Sequence, residues 1–307
     1  MQNRVVEITS DGAYLSLSRG FLTVRINGEP VGQVAIADMS ALIIRGYGAS
    51  LSVNICTRLA EANVPVVICG TDQAPASVVW PVDGHFSQGL HIQAQASANK
   101  PLLKRLWAQL IKAKIIAQAD VLDLQNKSST DLRAMATRIK AGDKDNLEAQ
   151  AARRYWTRLM GEDFRRDRGE PGINAALNYG YTVLRSATAR SVLAAGLHPS
   201  LSLQHQSRGD ALRLADDLME PFRPWVDHCV CRMAQNAGND PAFDLDASRK
   251  AALAGILSLD LQGPQGNSPV QLCMDRLAKS LVQVFLGERR RMELPGPPMP
   301  LSAVGGA

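Results

Sequence analysis

Several features that would fix a class at once are missing from the 307-residue chain. No apolar run reaches the roughly eighteen residues of a membrane-spanning helix, and the opening MQNRVVEITS has no apolar core of a secretory signal. A cytoplasmic protein with no membrane association is the expectation. Cysteines are scarce: five, an odd number, at Cys56, Cys69, Cys229, Cys231 and Cys273. Only Cys229 and Cys231 are neighbours, and one C-x-C without a second pair has neither zinc-ribbon spacing nor the look of a disulfide framework. Reduced, mostly buried thiols follow. No internal repeat of solenoid period is present, and the length suits one large domain or two ordinary ones.

What is present is an uneven charge. The net charge is only +5, but the segment from Lys100 to Arg190 holds eighteen basic against ten acidic residues, while both flanks are close to neutral. A basic middle third suits a polyanion such as nucleic acid. Solvated helix faces with surplus Lys and Arg would give the same count, and charge alone does not decide between the two.

Hydrophobic periodicity divides the chain. Val5–Thr9, Tyr14–Ser18, Phe21–Ile26, Val31–Ile36, Ala41–Ile44 and Val64–Ile68 are short runs rich in β-branched or aromatic residues. Asn27-Gly28 is a hairpin signal in a slightly long loop, and Leu51–Ala62 has helical spacing. Beyond a linker near 81–95 the pattern turns helical: Pro101–Gln125, Ser128–Lys140, Asp145–Met160, Ile173–Ala195, Gly209–Glu220, Asp246–Leu257 and Pro269–Leu286. Caps at Asp and Ser and stops at Gly support these spans. The expected architecture is α+β: an N-terminal β-sandwich-like domain over 1–85, then an all-α catalytic domain over 86–290. Residues 291–307, rich in Pro and Gly, read as a disordered tail.

The chemistry is concentrated in Glu148 and in the stretch from Gly196 to Asp227. Glu148 shares the apolar stripe of its helix with Ala151, Ala152, Tyr155 and Leu159. A carboxylate aimed at a core must be protonated, paired with an arginine such as Arg185 or Arg190, or bound to a cation. Asp216, Asp217 and Glu220 crowd one face of a short helix stopped by Pro221, with Leu214, Ala215 and Leu218 on the far side. Two such charges at about 4 Å repel by roughly 4 kcal/mol at an effective dielectric near 20. A divalent ion would remove that penalty; so, in part, would Arg213, and a solvated acidic face is the plain alternative. His205 stands in a polar loop leading into this helix. Glu148, His205 and Glu220 together would balance a 2+ ion, and mostly oxygen ligands with one nitrogen favour Mg²⁺ or Mn²⁺ over zinc.

At these residues the chain resembles a known family. NLEAQAARRYW around Glu148, INAALNYGYTVLRS (173–186), GLHPSLSLQHQ with His205 and LADDLMEPFRP with Glu220 are similar, in order, to motifs of the CRISPR-associated integrase of spacer acquisition, in its type II branch. The resemblance implies a homodimer whose metal ligands and catalytic residues are Glu148, His205 and Glu220, with Asp217 in a supporting role. It implies attack by the 3′-OH of a short double-stranded DNA fragment on the edge of CRISPR repeat DNA. It also implies a small ferredoxin-like CRISPR-associated partner and, in type II systems, the effector nuclease. Arg153, Arg154, Arg158, Arg165, Arg166 and Arg168 are candidates to hold the DNA backbone. A general structure-specific DNA nuclease of repair, with water as nucleophile, and a non-catalytic DNA scaffold are the competing readings.

Overall fold

The N-terminal alternation folds into strands β1 (Arg4–Ile8), β2 (Tyr14–Ser18), β3 (Phe21–Ile26), β4 (Glu29–Ala35), β5 (Met39–Ile44) and β6 (Ser50–Leu51), helix α1 (Val53–Glu61), then β7 (Val66–Cys69) and β8 (Pro75–Val79). The computed structural model describes residues 4–70, 75–79, 81–82, 85–167, 169–205, 211–238, 243–263 and 266–298. One sheet has the order β1-β5-β7-β8, with parallel pairings except at β8. The other runs β4-β3-β2-β6. Leu15 and Leu22 of the second sheet share a buried cluster with Leu42, Ile44 and Val66 of the first, and Ile55 and Leu59 of α1 join it. This is the expected sandwich, and the α+β class holds. The Asn27-Gly28 turn is tighter than the sequence suggested: both residues take positive φ (52° and 86°), so β4 begins at Glu29 directly after a two-residue turn.

The helical half consists of α2 (Gln88–Ala96), α3 (Lys100–Leu124), α4 (Thr130–Arg138), α5 (Leu147–Met160), α6 (Ile173–Ala194), α7 (Arg213–Leu218), α8 (Arg223–Asn236) and α9 (Ala247–Ala254). A short ribbon of β9 (Asp260–Leu261) and β10 (Ser268–Pro269) precedes α10 (Val270–Phe285). Long α6 is buried along most of its length, as expected of a helix apolar nearly all round. At Gly180 it meets α8 so closely that an added Cβ would lie 2.4 Å from Val226 Cγ1. The two halves meet through Glu7 of β1, which pairs with Arg45 at 3.1 Å and with Lys250 of α9 at 3.6 Å. Both cations also lie over the Tyr179 ring of α6.

Three readings of the sequence need correction. The presumed linker contains α2, whose buried Gln95 donates to the carbonyls of His198 and Leu201 and accepts from the His198 N–H. Helix α8 lies where no helix was expected. Residues 291–298 of the expected disordered tail are docked: Met292 is buried, and Gln262 exchanges backbone hydrogen bonds with Gly296 and Pro297. Residues 299–307, and Gly209 at the expected start of α7, lie outside the described residues.

Candidate active site

Glu148 owes its position to an N-terminal cap. Asp143 accepts hydrogen bonds from the backbone N–H groups of Leu147 (3.0 Å) and Glu148 (2.9 Å), using two donors that the first turn of α5 leaves unpaired. Glu148 lies in that turn, where the helix dipole favours a carboxylate. Its side chain is 28% exposed, at the edge of the core, and its partner is neither Arg185 nor Arg190 but Lys114 of α3, at 2.7 Å. Arg185 instead pairs with Asp216, its Nε 2.8 Å from Oδ1.

Glu220 departs further from expectation. Pro221 ends α7, and the chain passes through a single 3-10 turn, Glu220–Phe222, directly into α8. Glu220 is therefore not on a solvated acidic face; it is buried, 3% exposed, at the helix junction. Lys114 Nζ lies 2.6 Å from Oε2, and Arg223 Nε lies 3.1 Å from Oε1. Burial opposes its ionised form, but Arg223 and Lys114 outweigh that cost and hold the carboxyl below the usual range. Burial likewise opposes the charge on Lys114, and Glu220 and Glu148 overcome it, raising the ammonium above its ordinary value.

Asp217, fully buried, organises the histidine loop. It accepts from the backbone N–H groups of Leu203, Gln204 and His205, and its Oδ1 lies 2.6 Å from His205 Nδ1. The sequence resemblance gives Asp217 a supporting role; here it anchors the described part of the loop at Leu203, Gln204 and His205. With Nδ1–H donated to a carboxylate, the imidazole presents Nε2 as the basic nitrogen. The ring, 37% exposed, stands edge-on to Trp107 with centroids 5.7 Å apart. The Asp217 bond holds its pKa above the ordinary value, against the opposing effect of burial.

The structure thus brings Glu148 and Glu220 to one cation and holds His205 on Asp217. Among the described residues, no three His, Cys, Asp or Glu side chains are gathered closely enough to hold a metal ion. The donor chemistry still fits an oxygen-seeking cation: two carboxylates from different helices already share one positive charge. Lys114 escaped the sequence reading, although a signal existed. Its i±3 and i±4 neighbours Leu110, Ile111, Ala117 and Gln118 are all buried, and a lysine on such a stripe requires acidic partners.

The basic candidates divide. Arg154 and Arg158 both bind Asp131 at the start of α4, clamping α5 to that helix. Arg158 holds the Asp131 carboxyl well below its usual range. Arg166 donates to Asn174 and Asn178 of α6 and lies over the Tyr181 ring. Arg153 and Arg165 are exposed, and Arg168 lies outside the described residues.

Comparison with known proteins adds to this geometry. Residues 6–253 match the family model described as CRISPR associated protein Cas1. A CRISPR-associated endonuclease Cas1 of Neisseria meningitidis serogroup C (strain 8013) is 34% identical over 228 residues, 74% of each protein. Among solved structures, a casposase bound to integration product superposes with a TM-score of 0.78 at 19% identity, covering 94% of this chain and 92% of the other. A chain of a Cas6-RT-Cas1–Cas2 complex gives 0.73 at 19% identity, covering 95% of this chain and 36% of the other. At these identities the structural likenesses are likenesses of fold.

Proposed function

This chain belongs to the CRISPR associated protein Cas1 family, and from that premise we propose that it is a metal-dependent DNA integrase of the type II branch, joining short DNA fragments to CRISPR repeat DNA. The observation that carries this reading is the convergence of Glu148 and Glu220 on a single cation position. With Lys114 and Arg223 already balancing the two carboxylates, the cluster has no net positive charge to offer a DNA phosphate, and a divalent ion held there would supply it. Mg²⁺ or Mn²⁺ bound at this point would neutralise the phosphate and lower the pKa of the attacking hydroxyl. Glu148 and Glu220 would hold the ion through oxygen, and His205 through Nε2. Asp217 acts by position, fixing the tautomer and orientation of His205, while Arg223 keeps Glu220 ionised.

The reaction is an exchange of phosphodiesters. The fragment's 3′-OH oxygen bonds to phosphorus at the repeat edge, the P–O bond to the neighbouring nucleotide breaks, and that nucleotide leaves with a free 3′-OH. The number of phosphodiesters is unchanged, so no external energy source is needed. With water in place of the 3′-OH the same residues would cut DNA. A homodimer, a small ferredoxin-like CRISPR-associated partner and the type II effector nuclease complete the proposal. Fold likeness to a casposase bound to integration product and to a Cas6-RT-Cas1–Cas2 complex supports it.

The test supplies a duplex with free 3′ ends and a plasmid carrying the repeat, with Mn²⁺, Mg²⁺ or excess EDTA. Joined products that depend on metal are expected, and Glu148→Gln should abolish them while the protein remains folded and retains its DNA affinity. Full-rate joining in EDTA would end the proposal. Cut products without joining would favour the general nuclease.

A further inference from the structure

The proposed chemistry has no use for the charge of Lys114, although it lies between the two proposed metal-ligand carboxylates. Its stem runs along the buried face of α3, and its ammonium lies 2.7 Å from Glu148 Oε1 and 2.6 Å from Glu220 Oε2. These are oxygens through which a divalent ion would be held, and a nitrogen at that distance fills the space the ion needs. Ammonium and metal are therefore alternatives at one position.

A second place for the ammonium exists close by. One turn along α3, Gln118 is buried, and among the described residues its Oε1 has no hydrogen-bond partner. Gln118, Asp227 and Lys114 itself all line a cavity of about 100 Å³. A buried acceptor without a donor is rare in a folded protein. An ammonium turning into the cavity would supply that donor and meet the Asp227 carboxyl.

We propose that Lys114 is a built-in counter-ion that keeps Glu148 and Glu220 together when no divalent ion is bound. Ion binding is then an exchange, in which the ammonium moves from the two carboxylates into the cavity toward Gln118 and Asp227. The inference rests on the metal reading above, and its test separates the two.

Mn²⁺ binding to the full chain is followed by the electron paramagnetic resonance of free Mn²⁺ at pH 8, alongside thermal unfolding with EDTA or saturating Mn²⁺. Lys114→Met should bind Mn²⁺ at least tenfold more tightly than wild type, because no resident cation competes. In EDTA it should melt below wild type, with the gap closing as Mn²⁺ saturates. Gln118→Leu, which removes the second place, should weaken Mn²⁺ binding severalfold and decides the matter if Lys114→Met does not fold. Unchanged or weaker binding by folded Lys114→Met, or unchanged binding by Gln118→Leu, overturns the exchange. Glu148→Gln should lose the tight Mn²⁺ site; if it binds like wild type, the metal reading falls and the exchange with it.

Discussion

Two adjacent side chains on α8 respond to pH in opposite directions. Asp227 is pushed up to about 6 by burial, although the Tyr181 and Tyr155 hydroxyls donate to its ionised form. His228 is pushed down to about 4, mainly by burial and further by Arg232. Between its ordinary value of 6.5 and about 4, the unfolded chain takes up a proton at His228 that the folded chain refuses. His228 therefore costs stability as pH falls through that window. Between about 6 and its ordinary 3.8, the folded chain keeps a proton on Asp227 that the unfolded chain has released. Asp227 therefore adds stability over nearly the same range. His228→Gln should leave only the second effect, so that relative to wild type the variant gains up to about 3 kcal/mol between pH 7 and pH 4. Urea denaturation at several pH values checks this; parallel curves for the two proteins would refute it. At this scale the site was only partly legible in the sequence. Glu148 was visible because an acid on an apolar stripe needs a partner, and His205 because it leads into an acidic helix. Lys114 was hidden by distance: thirty-four residues separate it from Glu148, and only the fold reveals which acids a buried lysine meets.

Elements were legible where their ends carry local chemistry. Helix α3 starts where Asn99 accepts from the Leu102 N–H at 2.9 Å, with a proline in the first turn. Helix α8 was lost for the converse reason: Pro221 reads as a stop, and Pro224 follows it three residues later. Proline is at home in a first helical turn, where its missing N–H costs nothing, and here the pair carries the chain from one helix to the next. Composition also misled at 291–298: Pro and Gly suggested disorder, but Gln262 offers those residues a strand-like backbone partner. The α6–α8 contact makes a sharper statement about packing. Because a Cβ at Gly180 would lie 2.4 Å from Val226 Cγ1 and 3.3 Å from Leu253 Cδ2, Gly180→Ala should destabilise the fold by about 1–3 kcal/mol despite alanine's better helix propensity. Adding Val226→Ala should restore part of the loss, a coupling that chemical denaturation of the four proteins of a double-mutant cycle measures. Additive effects would mean that the helices separate freely at that point.

For the whole molecule, charge counted along the sequence overstated the surface available to DNA. Of the surplus in the middle third, Lys114 is enclosed by acids, Arg154 and Arg158 close on Asp131, and Arg166 is held by two asparagines of α6. Arginines with such partners set helix against helix, whereas exposed ones such as Arg153 and Arg165 can release counterions from a bound duplex. The two kinds differ in what salt does to their variants. The logarithm of DNA affinity falls with that of salt concentration by about 0.9 per phosphate contact. Replacing Arg153 and Arg165 together by alanine should weaken binding and flatten that slope by up to about 2, with thermal stability nearly unchanged. Arg158→Ala should leave the slope as it was and cost about 1 kcal/mol of stability, the scale of a partly exposed ion pair. Affinity titrations between 50 and 300 mM salt, paired with melting curves, distinguish the two classes. An unchanged slope in the Arg153/Arg165 double variant would mean that the duplex lies on another face, and that the basic middle third serves the fold rather than the substrate.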